Sequence, residues 1–376
     1  MAPVPEKVAC AICAHQDHIL VQHIVKKHAM QPTEYLAKFP TAPLWSAYGF
    51  SKVQEHSKSS LARMQPRPRE LTAVNLLFPD FGKRSGLEIS GEYPIFKTPG
   101  PLTPLLDSNY VFPEEQTLDV LTILAKPKRN RIFIKGFSGT GKTCLIFNLA
   151  AKCNAEVMEW NADSFQQRSS LIGRWISKDG ETVWQDGILP LAMKRGCWLV
   201  INEVDCIDPH TLNILKPMLE DPPRLTVLEN GGEVIQAHPD FRVIATANTW
   251  ARGDSTGMFV NTHVQSDADA RRWSARILLD YMTEDVEDTI LETAFPELPQ
   301  EDRSNFIKVA NRVRDAFKAG RIDKTFSPAE VVCWCENYIV CAKGVHHAAR
   351  LSFLNALEPD VQTAIGEMVN AVFGQE

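Results

Sequence analysis

Short apolar runs that end in a polar residue recur in the central part of the chain. These runs are residues 131–135, 155–161, 197–203 and 241–248. Each has the length of a buried strand, and the apolar stretch 144–151 lacks glycine and proline, as expected of a helix. Residues 171–185 and 224–235 contain turn residues between strand-like runs, so they predict two β-hairpins. The pattern predicts an α/β fold in which a parallel sheet is flanked by helices.

In the C-terminal part of the chain, the apolar residues recur with a different period. Three segments beyond Leu279 carry apolar residues at helical spacing, which predicts a small all-α lid domain. They are residues 303–319, 328–342 and 358–373. Proline-rich and charged stretches precede the first central strand and indicate a tether. The predicted domains are an N-terminal module (1–56), a linker (57–90), an α/β core (91–290) and a helical lid (291–376).

Residues 136–143 read G-F-S-G-T-G-K-T, a complete G-x-x-x-x-G-K-[ST] phosphate-binding loop between a predicted strand and a predicted helix. In such a loop, backbone N–H groups and the helix N-terminus surround the phosphates. The ammonium of Lys142 reaches the outer phosphates, and the hydroxyl of Thr143 binds Mg²⁺. We therefore predict that the chain binds ATP together with Mg²⁺. The predicted contacts are Gly136, Ser138, Gly139, Thr140, Gly141, Lys142, Thr143, Cys144 and Asn202.

The run 197–203 ends in Asn202 and Glu203, about sixty residues beyond the phosphate-binding loop. In ATPases with this loop, such a strand delivers an acidic pair to Mg²⁺ and to the attacking water. Asn202 stands in place of the metal-side aspartate, while Glu203 is predicted to activate the water. Asp205 adds a carboxylate two residues further on. Asn248 ends a later buried run and is predicted to contact the water or the γ-phosphate.

The N-terminal module contains two cysteines and two histidines in the spacing C-x₂-C-x₉-H-x₄-H. A Cys-x-x-Cys turn followed by two histidines about one helical turn apart supplies the four ligands of a tetrahedral Zn²⁺ site. The predicted ligands are Cys10, Cys13, His23 and His28. His15 and His18 are rival ligands, although their place beside the cysteines favours the protein surface.

Residues 8–55 resemble the Ros/MucR type of bacterial zinc finger, both in this spacing and in Q-P-T-E-Y at residues 31–35. That resemblance implies DNA binding. Residues 1–70 contain nine Lys or Arg and five Asp or Glu, a net charge of +4, while the whole chain has a net charge of −6. This local surplus is compatible with phosphate contacts. A finger attached to a larger domain serves equally for docking on a protein, so both kinds of partner remain open.

The composition is that of a globular protein: 376 residues, 44% of them hydrophobic, are enough for two or three domains. The chain has no run of 18 apolar residues and no basic-then-apolar pattern at its N-terminus. We therefore expect a soluble, cytoplasmic protein without a membrane partner. Nine cysteines are an odd number, and those outside the N-terminal module lie scattered in apolar segments. This pattern indicates reduced thiols rather than a disulfide framework.

The phosphate-binding loop, the strand that ends in Asn202 and Glu203, the polar Asn248 and the helical C-terminal part together resemble AAA+ ATPases of the MoxR group. Further motifs resemble the CobS-type ATPase subunits of aerobic cobaltochelatases over residues 90–375. They are W-Q-D-G-I-L-P at 184–190, H-P-D-F-R at 238–242, A-T-A-N-T at 245–249, G-D-S-T-G at 253–257, R-W-S at 272–274, S-P at 327–328 and W-C-E-N at 334–337. The resemblance implies a ring, a hexamer, with ATP between subunits and a partner that carries a metal-dependent von Willebrand A domain.

The resemblance also implies a finger arginine, which one subunit extends to the γ-phosphate of its neighbour. Arg272 falls at that position, and Arg271, where the family pattern has aspartate, is a second candidate. Three features depart from the family: Asn202, Ala329 in place of the sensor 2 arginine, and a zinc finger that the compared subunits lack.

The sequence supports three hypotheses of function. The first is an ATP-hydrolysing ring that remodels or activates a partner protein, with the hairpins 171–185 and 224–235 facing the pore or the partner. The second is a ring scaffold that ATP assembles and the zinc finger docks on DNA or protein, a hypothesis motivated by Asn202 and Ala329. The third is a genuine cobaltochelatase subunit, whose companion subunits would be encoded nearby.

Overall fold

The computed structural model describes residues 7–17, 20–30, 32–42, 44, 46, 67–83, 90–126, 128–161, 168–178, 181–251, 262–264 and 266–375. The chain divides into two compact units. The first consists of Met1–Pro68, Phe165–Leu199 and His210–Arg242, and the second of Arg69–Ser164, Val200–Pro209 and Val243–Glu376. Each unit is therefore assembled from segments that are distant in sequence.

The strands that the structure describes are β1 (Val8–Ala9), β2 (Gln16–Asp17), β3 (Arg69–Ala73), β4 (Glu92–Phe96), β5 (Arg131–Lys135), β6 (Val157–Asn161), β7 (Gly173–Lys178), β8 (Glu181–Asp186), β9 (Trp198–Asn202), β10 (Arg224–Val227), β11 (Glu233–Gln236), β12 (Arg242–Ala247) and β13 (Ala275–Leu278). The helices are α1 (Val21–His28), α2 (Pro32–Lys38), α3 (Val74–Leu77), α4 (Glu114–Leu124), α5 (Lys142–Lys152), α6 (Arg168–Leu171), α7 (Ile188–Arg195), α8 (Pro209–Leu215), α9 (Asp267–Ala270), α10 (Glu284–Ala294), α11 (Gln300–Lys318), α12 (Pro328–Cys341), α13 (Val345–Ser352) and α14 (Pro359–Phe373).

The N-terminal module in the first unit is a short antiparallel pair, β1 with β2, followed by α1 and α2. Its buried core is small, and Trp175 of β7 packs against that core from outside the module. The core residues are Cys10, Leu20, Ile24, Tyr35 and Leu44. A hydrophobic core of this size supplies little stability by itself, so such modules depend on a metal or on a neighbouring surface.

The rest of the first unit carries both predicted hairpins, and both are confirmed. β7 pairs antiparallel with β8, and β10 pairs antiparallel with β11. The buried ammonium of Lys194 on α7 joins them, because it lies 2.7 Å from a carboxylate oxygen of Asp186 and 3.1 Å from one of Glu233. Two ion pairs to one buried lysine satisfy a charge that would otherwise oppose folding.

The parallel sheet lies mostly in the second unit and has the strand order β13-β5-β12-β9-β6. β12 and β13 both run parallel to β5. The first four residues of β5 and all six of β12 are buried. Strands covered on both faces read as continuous apolar runs, which is why the sequence shows them clearly. The polar residues that end these strands meet at the carboxyl edge of the sheet.

The C-terminal helices α10 to α14 share one hydrophobic core, in which Phe306, Phe326, Trp334 and Phe353 are among the buried aromatic residues. The three predicted helices appear as α11, α12 and α14, with α10 and α13 in addition. Ser327 begins α12 with a capping box: its hydroxyl accepts from the N–H of Glu330, whose carboxylate accepts from the N–H of Ser327.

The structure differs from the predicted linker 57–90 in one part. β3 pairs antiparallel with β4, and α3 follows β3 directly. Residues 69–77 therefore belong to the second unit. The guanidinium carbon of Arg69 lies 4.7 Å from the ring centre of Phe96, a cation–π contact that helps to hold this strand pair. Residues 57–66 and 84–89 lie outside the described residues.

Other predicted features also lie outside the described residues: His18, the hairpin turn at 179–180 and the motif at 253–257. Among the residues that are described, no helix is both long and apolar enough to cross a membrane.

Candidate nucleotide-binding site

The phosphate-binding loop joins the end of β5 to the start of α5. Gly139 has a φ of +76°, and an added Cβ there would lie 2.3 Å from Cβ of Ser327. At Gly136, an added Cβ would lie 2.2 Å from the carbonyl oxygen of Leu279. Both positions therefore require glycine, the first for backbone conformation and space, the second for space alone. The first N–H groups of α5 have no partner within the helix and suit phosphate oxygens.

Lys142 is the first residue of α5, and its ammonium group bonds to the start of the phosphate-binding loop. Its Nζ donates to the carbonyl oxygens of Gly136 at 2.8 Å and Phe137 at 2.9 Å, and to Oδ1 of Asn248 at 3.0 Å. Burial lowers the pKa of Lys142 to about 8, although the carboxylate of Asp205 acts in the opposite direction. The structure thus brings together Lys142 and Asn248, which are 106 positions apart in sequence.

Asn202 lies beside the first turn of α5 and has four partners. Its Oδ1 accepts from the hydroxyls of Thr143 and Thr246, both at 3.1 Å. Its Nδ2 donates to Oε1 of Glu159 at 2.5 Å and to Oδ1 of Asn161 at 2.8 Å. The hydroxyl of Thr143 and the amide oxygen of Asn202 are hard oxygen donors of the kind that Mg²⁺ prefers, so these residues fit the metal.

A cavity of about 410 Å³ lies over this edge of the sheet. Its lining residues are Ser138, Gly139, Gly141, Lys142, Thr143, Cys144, Asn161, Asn202, Glu203, Thr246 and Asn248. Glu203 follows β9 in the left-handed conformation, with a φ of 54°, and is exposed. Such a conformation is uncommon for a residue other than glycine and clusters at functional sites. Most of the predicted nucleotide contacts therefore share one cavity with Glu203 and Asn248.

Asp205 anchors the chain beside the site, a position that the sequence did not reveal. It is fully buried, and its Oδ2 accepts from the N–H of Asn248 at 3.1 Å and from the N–H and hydroxyl of Thr249, both at 2.9 Å. These bonds fix the chain immediately after β12 and hence the position of Asn248. The available signal was an acidic residue between the apolar neighbours Val204 and Cys206.

Tyr281, which lies between β13 and α10, connects the phosphate-binding loop to the helical lid. Its Oη donates to the carbonyl oxygen of Ser138 at 3.3 Å and also hydrogen-bonds to the hydroxyl of Thr325. The guanidinium carbon of buried Arg314 lies 4.5 Å from the centre of the Tyr281 ring. These contacts join lid and loop, whereas Ala329, at the position of the expected sensor arginine, brings no charge.

The two candidate finger arginines precede β13. Nη1 of Arg272 donates to Oδ1 of Asp269 at 2.8 Å and to the carbonyl oxygen of Ala268 at 3.2 Å, and about a quarter of the side chain is exposed. Arg271 is exposed. A contact of either residue with a neighbouring subunit stays a prediction.

The four predicted zinc ligands come together in the first unit, with all ligand atoms within 4.8 Å of one another. Sγ of Cys10 lies 3.5 Å from Nε2 of His28, Sγ of Cys13 lies 2.9 Å from Nε2 of His23, and the two Nε2 atoms are 3.2 Å apart. Ligand atoms of a tetrahedral Zn²⁺ site lie about 3.3–3.8 Å apart, so two thiols and two imidazoles gathered this closely are a donor set that suits zinc. His15 is not part of this group and stacks on the His23 ring at 4.2 Å.

Comparisons with known proteins agree with this geometry. The family described as "AAA domain (dynein-related subfamily)" matches residues 131–259. The aerobic cobaltochelatase subunit CobS of Sinorhizobium sp is 32% identical over 299 residues, which cover 77% of this chain and 89% of that protein. This chain belongs to the CobS-like family of AAA+ ATPases.

More distant relatives match the ATPase core. Protein NorQ of Paracoccus denitrificans is 32% identical over 117 residues, which are 31% of this chain and 43% of that protein. Protein CbbQ of Hydrogenophilus thermoluteolus is 31% identical over 121 residues, which are 32% of this chain and 45% of that protein. The matched part is thus less than half of either relative. As a CobS-like AAA+ ATPase, the chain binds ATP with Mg²⁺ and is an ATP hydrolase.

Asp205→Ala is expected to lower the free energy of unfolding by about 2–4 kcal/mol, because three hydrogen-bond donors lose a buried charged acceptor. ATP hydrolysis should fall as well, because Asn248 loses its anchor. Chemical denaturation and phosphate release measure the two effects. Glu203→Gln is the matched control, since this carboxylate is exposed and its loss should change stability by less than about 0.5 kcal/mol. If Asp205→Ala and the unchanged chain are equally stable, Asp205 does not anchor the residues that follow β12.

The lowered pKa of Lys142 predicts that nucleotide binding weakens in alkali. Only the ammonium form attracts phosphate, and with a pKa of about 8 that form is lost as the pH rises through 8. Affinity for a fluorescent ATP analogue should therefore fall about tenfold from about pH 7 to about pH 9. The residual binding of Lys142→Arg should be flat over this range, because guanidinium does not titrate there. A flat profile in the unchanged chain would refute the prediction.

Proposed function

We propose that this CobS-like ATPase couples ATP hydrolysis to the remodelling or activation of a partner protein. The observation that carries the proposal is the common cavity of Lys142, Asn202, Glu203 and Asn248. In the proposed reaction, Glu203 activates the attacking water and Asn248 orients that water or the γ-phosphate. Lys142 and the loop amides stabilise charge on the phosphates, and Thr143 with Asn202 binds Mg²⁺.

The proposed active form is a ring, with six subunits as the expected number and ATP between neighbours. Arg272 is the proposed finger that completes the site of the next subunit, with Arg271 as the second candidate. Two observations support this role. Arg272 shortly precedes β13, and β13 is an edge strand of the sheet. Residues before an edge strand are well placed for contact with another subunit.

The proposed partner is a protein with a von Willebrand A domain, contacted through the β7–β8 and β10–β11 hairpins. Leu228 and Val234 of the second hairpin support this role, because they are apolar yet 57% and 58% exposed. Exposed apolar side chains on an ordered hairpin favour contact with another protein.

We further propose that Cys10, Cys13, His23 and His28 hold a structural Zn²⁺. Two thiolates and two imidazoles complete a tetrahedral shell and leave no position open for a substrate. Metal binding would then stabilise the small core on which Trp175 packs. The proposed role of the finger is docking, with DNA or a protein as the partner.

Each of two other functions is supported by a specific observation. The amide at Asn202 and the alanine at Ala329 favour a ring scaffold that ATP assembles and that hydrolyses ATP slowly. Similarity to the cobaltochelatase subunit favours a role in cobalt insertion. Companion chelatase and von Willebrand A genes beside this one would support the latter function.

Lys142→Ala and Glu203→Gln should separate binding from hydrolysis. Lys142→Ala should lose both, because the phosphates lose their buried cation. Glu203→Gln should keep nucleotide binding and lose about 10²–10⁴-fold in turnover, the usual contribution of a general base. Phosphate release and binding of a fluorescent ATP analogue provide the measurements.

Undiminished turnover in the Lys142→Ala/Glu203→Gln double variant would show that the hydrolytic site lies elsewhere. ATP-dependent assembly of the unchanged chain with negligible turnover would favour the scaffold function. Capture of a von Willebrand A protein by the Glu203→Gln chain in ATP would support the proposed partner.

Zinc removal should loosen the N-terminal module and expose Trp175. The purified chain is expected to hold about one zinc ion, which a chelator or Cys13→Ser removes. Tryptophan emission should then shift to longer wavelength, and Trp175→Phe should reduce the shift to the part that Trp45 of the module contributes. Cys333→Ser, which alters an exposed lid thiol, should keep its zinc. Absence of zinc from the freshly purified chain would refute the metal site.

A further inference from the structure

Asn202 lacks the negative charge that an aspartate would bring to Mg²⁺, but a carboxylate lies directly beside it. Nδ2 of Asn202 donates to Oε1 of Glu159 at 2.5 Å. Glu159 belongs to β6, and β6 and β9 are neighbours in the sheet. The contact therefore joins two adjacent strands near their carboxyl ends. A negative charge is present at this edge of the sheet, one hydrogen bond away from position 202.

Glu159 decides which way the Asn202 amide points. An ionised carboxylate only accepts hydrogen bonds, so it must face the amide nitrogen. The amide oxygen is then turned to the hydroxyl of Thr143, the side on which a Mg²⁺ ligand is needed. Asn161 cannot impose this orientation, although its Oδ1 lies 2.8 Å from the same nitrogen, because its own amide can present either oxygen or nitrogen.

The contact also strengthens Asn202 as a ligand. A hydrogen bond to an ionised acceptor is shorter and about twice as strong as one between neutral groups. Electron density drawn toward the amide oxygen makes that oxygen a better donor to a cation. Carboxylates that hydrogen-bond to a metal ligand raise metal affinity about 10–100-fold, as their removal shows.

We propose that Glu159 is a positioning residue for Mg²⁺ and ATP. It holds the Asn202 amide with its oxygen toward Thr143, and it supplies the negative charge that an aspartate would carry at position 202. The inference rests on the proposed function, because it requires Mg²⁺ and ATP to bind at the phosphate-binding loop.

The arrangement predicts that the charge can be moved from one strand to the other. Asn202→Asp with Glu159→Gln places the carboxylate at position 202 and an amide at position 159. The introduced amide can then donate to the introduced carboxylate, so the hydrogen bond is kept with its direction reversed. The doubly substituted site has a carboxylate at position 202 facing Thr143, so it no longer needs one at position 159.

The test is the Mg²⁺ concentration needed for half-maximal binding of a fluorescent ATP analogue by the full chain. Glu159→Gln should raise this concentration at least about tenfold. In the Asn202→Asp background, the same substitution should raise it less than about threefold, which is the signature of coupled positions in a double-mutant cycle. Glu367→Gln on α14 removes an equivalent exposed charge from the second unit and should leave the requirement unchanged.

The thermal unfolding midpoint of each variant distinguishes positioning from a purely structural role. Glu159 is exposed, so we expect Glu159→Gln to have the same thermal unfolding midpoint as the unchanged chain, while the Mg²⁺ concentration that it requires rises. An unaltered Mg²⁺ requirement in Glu159→Gln would overturn the inference, and so would an equal rise in both backgrounds. If the unchanged chain shows no Mg²⁺-dependent nucleotide binding, both the proposed function and this inference are overturned. The unchanged chain alone is enough to recognise that result.

Discussion

Parallel pairing between β5 and β12 is the constraint on which the site depends. Ala247 lies opposite Lys135, and the N–H of Gly136 donates to the carbonyl oxygen of Ala247 at 3.1 Å, so the ladder continues into the phosphate-binding loop. The loop therefore begins beside the residue that precedes Asn248, and the Lys142 ammonium reaches the Asn248 side chain. A slip of one residue would turn every side chain of the strand to the opposite face and separate these groups.

Buried polar groups keep this edge of the sheet in one arrangement. The carboxylate of Asp205 has no exposed surface and accepts three hydrogen bonds from the two residues after β12. A buried carboxylate destabilises the fold unless such donors surround it, so the native position is strongly preferred over alternatives. Lys142 is similarly constrained, because burial lowers its pKa to about 8 while three acceptors hold its ammonium. The groups that would face the phosphates are thus oriented before ATP arrives, which is the condition for electrostatic stabilisation of a transition state.

The polar side chains at this edge of the sheet come from several separate strands. β9 ends in Asn202 and Glu203, β6 brings Glu159, and the end of β12 brings Asn248. The hydroxyl of Tyr281 links the loop to the lid residue Thr325, while position 329 carries no charge. A carboxylate thus lies one hydrogen bond from Asn202 on the neighbouring strand, and a tyrosine hydroxyl contacts the phosphate-binding loop.

The sequence by itself determined four of the five strands of the parallel sheet, both hairpins, the phosphate-binding loop and the Cys/His spacing of the N-terminal module. It did not reveal the edge strand β13, in which only Ile277 is buried. Strands buried on both faces leave continuous apolar runs, and a glycine-rich loop must follow a strand and open a helix, so each signal is local. Only the tertiary structure decided that Glu159 faces Asn202, that Asp205 anchors Asn248 and that Trp175 packs on the N-terminal module. The first two contacts each join residues 43 positions apart, and the third joins a hairpin to the N-terminal module. The physical reason is that cross-strand neighbours depend on the order of strands in the sheet, which no local pattern of residues records.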